Sequence, residues 1–420
     1  MIMKTIIEQA EEKLKKYNQD SVLKLMNKLE GEKKDTLAAS ILETDLESVE
    51  SVFKTINDKP EVTSKGISPM NATIKENVSE EERKKYFNIG KKIIENNEYA
   101  VVTVAGGQGT RLGHNGPKGT YKISTIKGEK SLFEILCETM KDANKKFGSN
   151  IPWYIMTSEE NNKQTVDFFE ANNYFGYDKE KIKFFKQSKM PVVDTNGKLL
   201  VDESFKIKEA SDGHGGIFNS MAKGKVIDEL DNNNVKWVFT CGVDNPLVNM
   251  VDPYLLGLAV EKECKLATRS LVKTSPSEKI GVICKQNNKV KVIEYTELPE
   301  EMANEVNSNG ELVYGESHVM FNLFSVDAIK KIAKEKLPYH IAFKKNSYID
   351  ENGTLVKPEK PNSYKFESFI FDSFELFDDM AILRGTREDE FAPIKNAEGN
   401  DSPETAVKLY NDFWKNKIEL

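Results

Sequence analysis

The chain has 420 residues, 39% hydrophobic and 30% charged, with a formal net charge of −7. That composition suits a folded globular protein with room for two or three domains. Lysines and arginines are interspersed with acids, which argues against the basic face that neutralising duplex phosphates would need, and no nucleic-acid partner is expected. The charged N-terminus has no apolar core of a signal peptide, and no apolar stretch approaches the ~20 residues that span a bilayer. A cytoplasmic location with no membrane partner is therefore expected. Cys137, Cys241, Cys264 and Cys284 are widely spaced with no CxxC pair, and are expected as reduced, mostly buried thiols. His114, His214, His318 and His340 form no ligand pattern for structural zinc.

Residues 1 to about 95 are expected to be helical, from apolar periodicity in IIEQAEEKLKKY and SVLKLMNKL. The polar, proline-containing stretch from Asn57 to Glu76 is expected to run irregularly over the surface. A helix from Ser79 to Asn96 opens on a serine cap and an acidic first turn. From Tyr99 the pattern changes. YAVVTVA reads as a buried parallel strand, SLFEILCETMKDANKKF as a helix and IPWYIMTS as a strand. SEENNKQTVDFFEANN then reads as a helix, KIKFFKQ as a strand, IFNSMAKGKVIDEL as one helix and VKWVFTCGVDN as a strand. KLATRSLVK, GVICKQNNKVKVIEY and SHVMFNLFSV add strands, some of them antiparallel. This alternation is that of a doubly wound α/β sheet. From Pro338 onward, two turn signals and the aromatic run ESFIFDSFELF read as the end of the sheet plus a small C-terminal lobe. Three regions are expected: 1–95 helical, 96–337 central, and 338–420.

The glycine-rich segment AGGQGTRLGHNGPKG (105–119) follows the first buried strand. Glycines let the backbone approach a ligand without a Cβ clash, and successive N–H groups can cradle phosphate oxygens. Arg111 and Lys118 add positive charge for a triphosphate. The segment is neither a Walker A loop nor a Rossmann GxGxxG. Taken alone, it would also suit a solvated turn. Asp244, in VDN after the strand VKWVFTCG, stands where open α/β sheets bind ligands and could hold Mg²⁺ against phosphates. An aspartate in a plain strand-end turn would look the same.

GGQGTRLG followed by PKG resembles the nucleotide-binding signature of the eukaryotic-type UDP-sugar pyrophosphorylases. IPWYIMTS, FFKQSKMP, SDGHGG, VDNPLV, GVICK with IEYTE, YHIAFKK, KPEKPNSYKFESFIFD and REDEF follow in the order of the UDP-N-acetylglucosamine pyrophosphorylases, over roughly Tyr99 to Asn396. The resemblance implies a Rossmann-like, GT-A-like nucleotidyltransferase fold with a helical N-terminal region. It implies uridylyl transfer from UTP to a sugar 1-phosphate, N-acetylglucosamine 1-phosphate foremost, with Mg²⁺ as cofactor. A UDP-glucose, UDP-galactose or broad-specificity enzyme is the alternative, and a non-catalytic nucleotide-sugar-binding paralogue the remote one. A monomer or homodimer is expected.

By the same resemblance, Ala105, Gly106, Gly107, Lys118, Gln187, Gly213 and His214 bind the nucleotide, with Gln187 on the uracil edge. Asp244 carries the metal and borders the sugar, together with Gly281, Glu294, Tyr295 and His318. Lys365 lies near the phosphates. His214 stands where the acetylglucosamine enzymes usually have Asn and the UDP-glucose enzymes His. Ser317 and His318 stand where the former have Gly-Asn to read the N-acetyl group. The implied reaction is in-line attack of the sugar-1-phosphate oxygen on the α-phosphorus of UTP, releasing pyrophosphate. It would rest on positioning and charge neutralisation by Arg111, Lys118 and Lys365, without a protein nucleophile.

Overall fold

The computed structural model describes residues 4–57 and 65–418. They form two units that interleave along the chain. The smaller takes the described residues of Met1–Glu61, Ser188–Gly216 and Leu337–Phe369; the larger takes those of Val62–Gln187, Ile217–Lys336 and Ile370–Leu420.

Among the described residues, an eleven-stranded mixed sheet organises the larger unit. Its strands in chain order are β1 (Ile67–Pro69), β2 (Thr73–Ile74), β3 (Tyr99–Val104), β4 (Trp153–Thr157), β5 (Ile182–Lys186) and β6 (Trp237–Gly242). They continue with β7 (Leu266–Val272), β8 (Val282–Gln286), β9 (Lys289–Ile293), β10 (Glu316–Ser325) and β11 (Ala381–Arg384). The spatial order is β2-β11-β7-β10-β6-β3-β4-β5, with β8 pairing β1, β9 and β10. Strands β6, β3, β4 and β5 run parallel, so their carboxyl ends share one edge. β10 is antiparallel to all three of its partners, β6, β7 and β8.

β3 is buried along nearly its whole length, which explains why it reads as a continuous apolar run. The helix Leu132–Phe147 buries eight side chains on the core, among them Phe133, Leu136 and Met140. Phe133 and Trp153 both meet Phe169 edge to face, at 5.0 and 5.8 Å between centroids. The Trp153 indole N–H donates to Thr103 Oγ1 at 2.8 Å, and the Tyr99 hydroxyl donates to the Met250 carbonyl at 2.7 Å. The polar tips of the largest core residues are thereby satisfied.

In the smaller unit, the helices Ile6–Lys16, Asp20–Lys28, Gly31–Glu43 and Leu46–Lys54 share a core with short strands. Leu14, Met26, Leu37 and Ile41 pack there with Val193, Leu199, Val201, Ile207 and Phe366. The strand Ser363–Glu367 lies between His340–Lys344 and Val193–Asp194.

The structure departs from the local sequence patterns in four places. The helix Glu80–Glu95, with its Ser79–Glu82 capping box, packs on Pro253–Glu261 and belongs to the larger unit rather than to an N-terminal helical region. Of the stretch read as irregular, residues 58–64 lie outside the described residues, and β1 and β2 join the sheet as short edge strands, where proline is tolerated. IFNSMAKGKVIDEL forms two helices, Ile217–Lys223 and Val226–Asn232, broken at Gly224 and Lys225, the latter at φ 57°. The stretch from Pro338 onward divides. Residues up to Phe369 pack with the smaller unit, Ile370–Leu376 is a 3₁₀ helix, and β11 returns to the large sheet.

All four cysteines are free and buried. Burial pushes the Cys137, Cys241 and Cys284 thiols up to about 12, which disqualifies them as nucleophiles near neutral pH. No helix among the described residues is long and apolar enough to cross a membrane.

Candidate active site

The carboxyl ends of β3, β4, β5 and β6 carry Ala105, Ser158, Gln187 and Asp244 side by side, because these strands are parallel neighbours in register. This is the edge at which doubly wound sheets bind their ligands.

The glycine-rich segment leaves β3 at the buried Ala105, whose N–H donates to the Met156 carbonyl at 2.8 Å. It then folds back on itself. Gly109 N–H donates to the Gly116 carbonyl at 2.9 Å, and Lys118 N–H to the Gly107 carbonyl at 3.0 Å. His114 Nε2 meets Thr120 Oγ1 at 2.7 Å and closes the loop from within. A Cβ on Gly106 would lie 2.5 Å from Gln187 Oε1, so the Gln187 amide lies directly over the loop and would have to shift for any side chain at 106. The fully buried Asn161, absent from the sequence reading, holds the arrangement. Its Nδ2 donates to the carbonyls of Ala105 at 2.9 Å and Gly107 at 3.3 Å, and its Oδ1 accepts from Ser158 N–H at 2.8 Å. The only cue in the sequence was its place at the head of a helix.

Lys118 Nζ reaches Asp244 Oδ2 at 3.3 Å. The lysine side chain is 17% exposed and the carboxylate 30%, so a cation and an anion face one partly open space. Asp244 is held by its backbone: Ile394 N–H donates to its carbonyl at 2.9 Å. The adjacent Asn245 is buried, donates to the Glu390 carbonyl at 2.6 Å and accepts from Ala392 N–H at 2.9 Å. The REDEF segment therefore braces the strand end. Glu390 itself pairs with the buried Arg269, which also binds Asp252. Arg111 is exposed and has no ion-pair partner among the described residues.

A second cluster surrounds the β8–β9 hairpin. Gly281 is buried, and its carbonyl accepts from His318 N–H at 2.9 Å. A Cβ there would come within 3.3 Å of Glu294 Oε1, so Gly281, Glu294 and His318 are brought together. Tyr295 is 41% exposed beside them. Ser317 is buried and spends its hydroxyl on the Leu271 carbonyl, at 2.6 Å. His318 Nε2 lies 2.9 Å from Asn322 Oδ1, with the edges of Phe371 and Phe374 against the ring. Burial lowers its pKa to about 4, so the ring is neutral near pH 7.

That contact depends on a feature no pattern announced. Four residues of regular strand span about 13 Å. Here Thr268 pairs Asn322 and Ser270 pairs His318, so three residues of β10 oppose Arg269 alone. Met320 takes a φ of 66° at this bulge and brings positions 318 and 322 into reach.

Gly213, His214 and Lys365 belong to the smaller unit. Gly213 has φ 85°, and a Cβ on it would sit 2.2 Å from the Ser368 carbonyl oxygen. Two short bonds fix this turn: Ser368 N–H to the Asp212 carbonyl at 2.7 Å, and Gly215 N–H to the Ser368 carbonyl at 2.9 Å. Gly213→Ala should therefore cost about 3 kcal/mol, from left-handed strain plus the clash. An unchanged denaturant midpoint would show that the turn relaxes freely. His214 stacks on Phe369 at 5.3 Å, and Lys365 Nζ pairs with Glu367 at 2.6 Å.

Asp244 fits a Mg²⁺ ion in a particular way. Among the described residues, no group of three or more His, Cys, Asp or Glu side chains could form a metal cage. Mg²⁺ commonly takes one or two carboxylates and completes its shell with water and substrate phosphates. One partly exposed aspartate beside the glycine-rich loop would suit an ion whose remaining ligands come from water and substrate.

The family model described as UTP–glucose-1-phosphate uridylyltransferase matches residues 46–402. UDP-N-acetylglucosamine diphosphorylase 2 of Arabidopsis thaliana is 34% identical over 420 residues, covering 95% of this chain and 82% of the relative. UDP-N-acetylglucosamine pyrophosphorylase of Saccharomyces cerevisiae is 37% identical, covering 82% and 75%. The crystal structure of the uridine diphosphate N-acetylglucosamine pyrophosphorylase from Trypanosoma brucei, in complex with inhibitor, superposes with a TM-score of 0.81 at 27% identity, covering 97% of this chain and 85% of that one. With a family match over most of its length and relatives of this identity and coverage, the chain belongs to the UTP–glucose-1-phosphate uridylyltransferase family and is a uridylyltransferase of the UDP-sugar pyrophosphorylase type.

Proposed function

We propose that this enzyme transfers the uridylyl group of UTP to N-acetylglucosamine 1-phosphate, releasing pyrophosphate, with Mg²⁺ as cofactor and in the cytoplasm. The observation that carries the reading is the Lys118–Asp244 pair at 3.3 Å, set at the mouth of a glycine loop on adjacent parallel strands. Two polyanions must meet there, and the pair provides a cation for phosphate oxygens beside a carboxylate for the metal. Mg²⁺, when bound, would supply charge neutralisation between phosphates. Lys118 would hold the departing pyrophosphate, and the exposed Arg111 would add to it. The Gln187 amide over Gly106 suits the imide edge of uracil, offering both a donor and an acceptor. For Gly213, His214 and Lys365 the support is the resemblance carried by SDGHGG and NSYKFESF. The names of the relatives support N-acetylglucosamine 1-phosphate as the acceptor.

A second reading, transfer to glucose or galactose 1-phosphate, is favoured by the histidine at position 214. A panel of sugar 1-phosphates with UTP, scored by pyrophosphate release with and without Mg²⁺, separates the readings. The acetylated sugar should be used best, and chelation should abolish release. Preference for glucose 1-phosphate would replace the first reading by the second. Consumption of UTP with none of the sugars would overturn both.

A further inference from the structure

Asn322 is fully buried in β10 and sits against two polar side chains, Thr268 and His318. Its amide can face them in two ways. With Oδ1 toward them, at 3.1 and 2.9 Å, Nδ2 is buried with no partner. An orphaned amide N–H₂ is among the costlier defects of a core. The Thr268 hydroxyl has a single hydrogen, and its shortest acceptor is the Phe321 carbonyl at 2.9 Å. Thr268 Oγ1 is then free to accept. Turning the amide over lets Nδ2 donate to Thr268 Oγ1 and to His318 Nε2 together, while the hydroxyl keeps its bond to Phe321. That orientation makes three bonds and leaves one oxygen unpaired, in place of two N–H groups. Oxygen acceptors tolerate that state better than N–H donors.

We propose that Asn322 is a positioning residue: it donates to His318 Nε2 and holds the imidazole as the neutral tautomer with hydrogen on Nδ1. Nδ1 has no partner among the described residues, so its hydrogen is offered to a ligand. With the reading above that His318 borders the sugar, on which this step rests, the sugar pocket presents a hydrogen-bond donor. A donor selects a sugar with an acceptor at that place. An acetamido carbonyl qualifies; the ammonium of an unacetylated 2-amino sugar has no lone pair and does not. The bulge at Met320 makes the contact possible, which gives the unusual backbone a purpose.

The test uses the full chain labelled with ¹⁵N-histidine, with the His318 signal assigned by its loss in His318→Gln. Long-range ¹H–¹⁵N correlation reports which ring nitrogen carries the hydrogen. The wild-type protein should show hydrogen on Nδ1 of His318. Asn322→Leu and Thr268→Val, which keep the branching of the native side chains and remove their polar atoms, should lose the single tautomer. Their KM for N-acetylglucosamine 1-phosphate should rise roughly three- to tenfold, as the competent tautomer becomes a fraction of the whole. Turnover and the KM for UTP should stay within about twofold, since neither residue touches the phosphates. The advantage of the acetylated sugar over glucosamine 1-phosphate should shrink by the same factor. Hydrogen on Nε2 in the wild-type protein overturns the proposal even if the variants do not fold. An enzyme that uses no sugar phosphate would defeat the functional reading while the tautomer measurement still decides this one.

Discussion

Lys118→Ala should lower turnover by about 10² or more while the protein keeps its secondary structure and melting temperature to within a few degrees. Two magnitudes separate these effects. Lys118 and Asp244 form a pair with 17% and 30% side-chain exposure, and such pairs contribute about 1 kcal/mol or less to stability. The loop also keeps its shape without the side chain, because the Lys118 backbone N–H, not its ammonium, closes it onto Gly107. In the reaction, the same ammonium would face charge accumulating on a departing pyrophosphate. A unit charge at about 4 Å in a partly desolvated site is worth about 4 kcal/mol. A hundredfold loss of rate corresponds to about 2.7 kcal/mol. The variant should therefore be a folded, nearly inactive enzyme, checked by circular dichroism beside pyrophosphate release. Near-normal turnover would remove Lys118 from the site, and unfolding would make it a structural residue.

The parts of this arrangement that could be read in the sequence are those set by local chemistry. A β-branched run ending in glycines announces a buried strand followed by a tight loop, and both are found where β3 ends. The Ser79 cap with Glu82 announces a helix start, and both reciprocal bonds form. The Lys118–Asp244 contact follows once β3 and β6 are recognised as neighbours, although the two residues are 126 positions apart. What stayed hidden depends on long-range packing. Helix periodicity states that a stripe is buried but not against which partner, so the sequence groups Glu80–Glu95 with the N-terminal helices. The excursion Ser188–Gly216 carries turn signals like any loop, yet its apolar residues complete the core of the N-terminal helices. The bulge in β10 contains no glycine; Met320 carries the positive φ, which an L side chain rarely adopts, and no composition rule places it there. Asn161, Asn245 and Asn322 were overlooked because an asparagine in a sequence looks like a turn residue. Only burial shows that each must be hydrogen-bonded.

Asp244→Asn should lower turnover by about 10³ and raise the Mg²⁺ concentration for half-maximal activity by at least about tenfold. The substitution keeps the shape of the side chain and leaves intact the bond from Ile394 N–H to the Asp244 carbonyl, so the strand end should stay in place. Only the charge is lost. Two roles for that charge can be told apart. If Asp244 serves merely to orient Lys118 across 3.3 Å, then once Lys118 is replaced by methionine the aspartate has nothing left to do. The double variant would then be no slower than Lys118→Met alone. If Asp244 holds the metal while Lys118 holds phosphate oxygens, the two losses act on separate interactions and should compound toward their product. Calorimetric Mg²⁺ titration in the presence of UTP gives a readout independent of turnover. Asp244→Asn should weaken metal binding, whereas Lys118→Met should leave it equal or tighter, because the competing ammonium has gone. A metal affinity unchanged in Asp244→Asn would place the ion elsewhere and reduce Asp244 to the partner of a lysine.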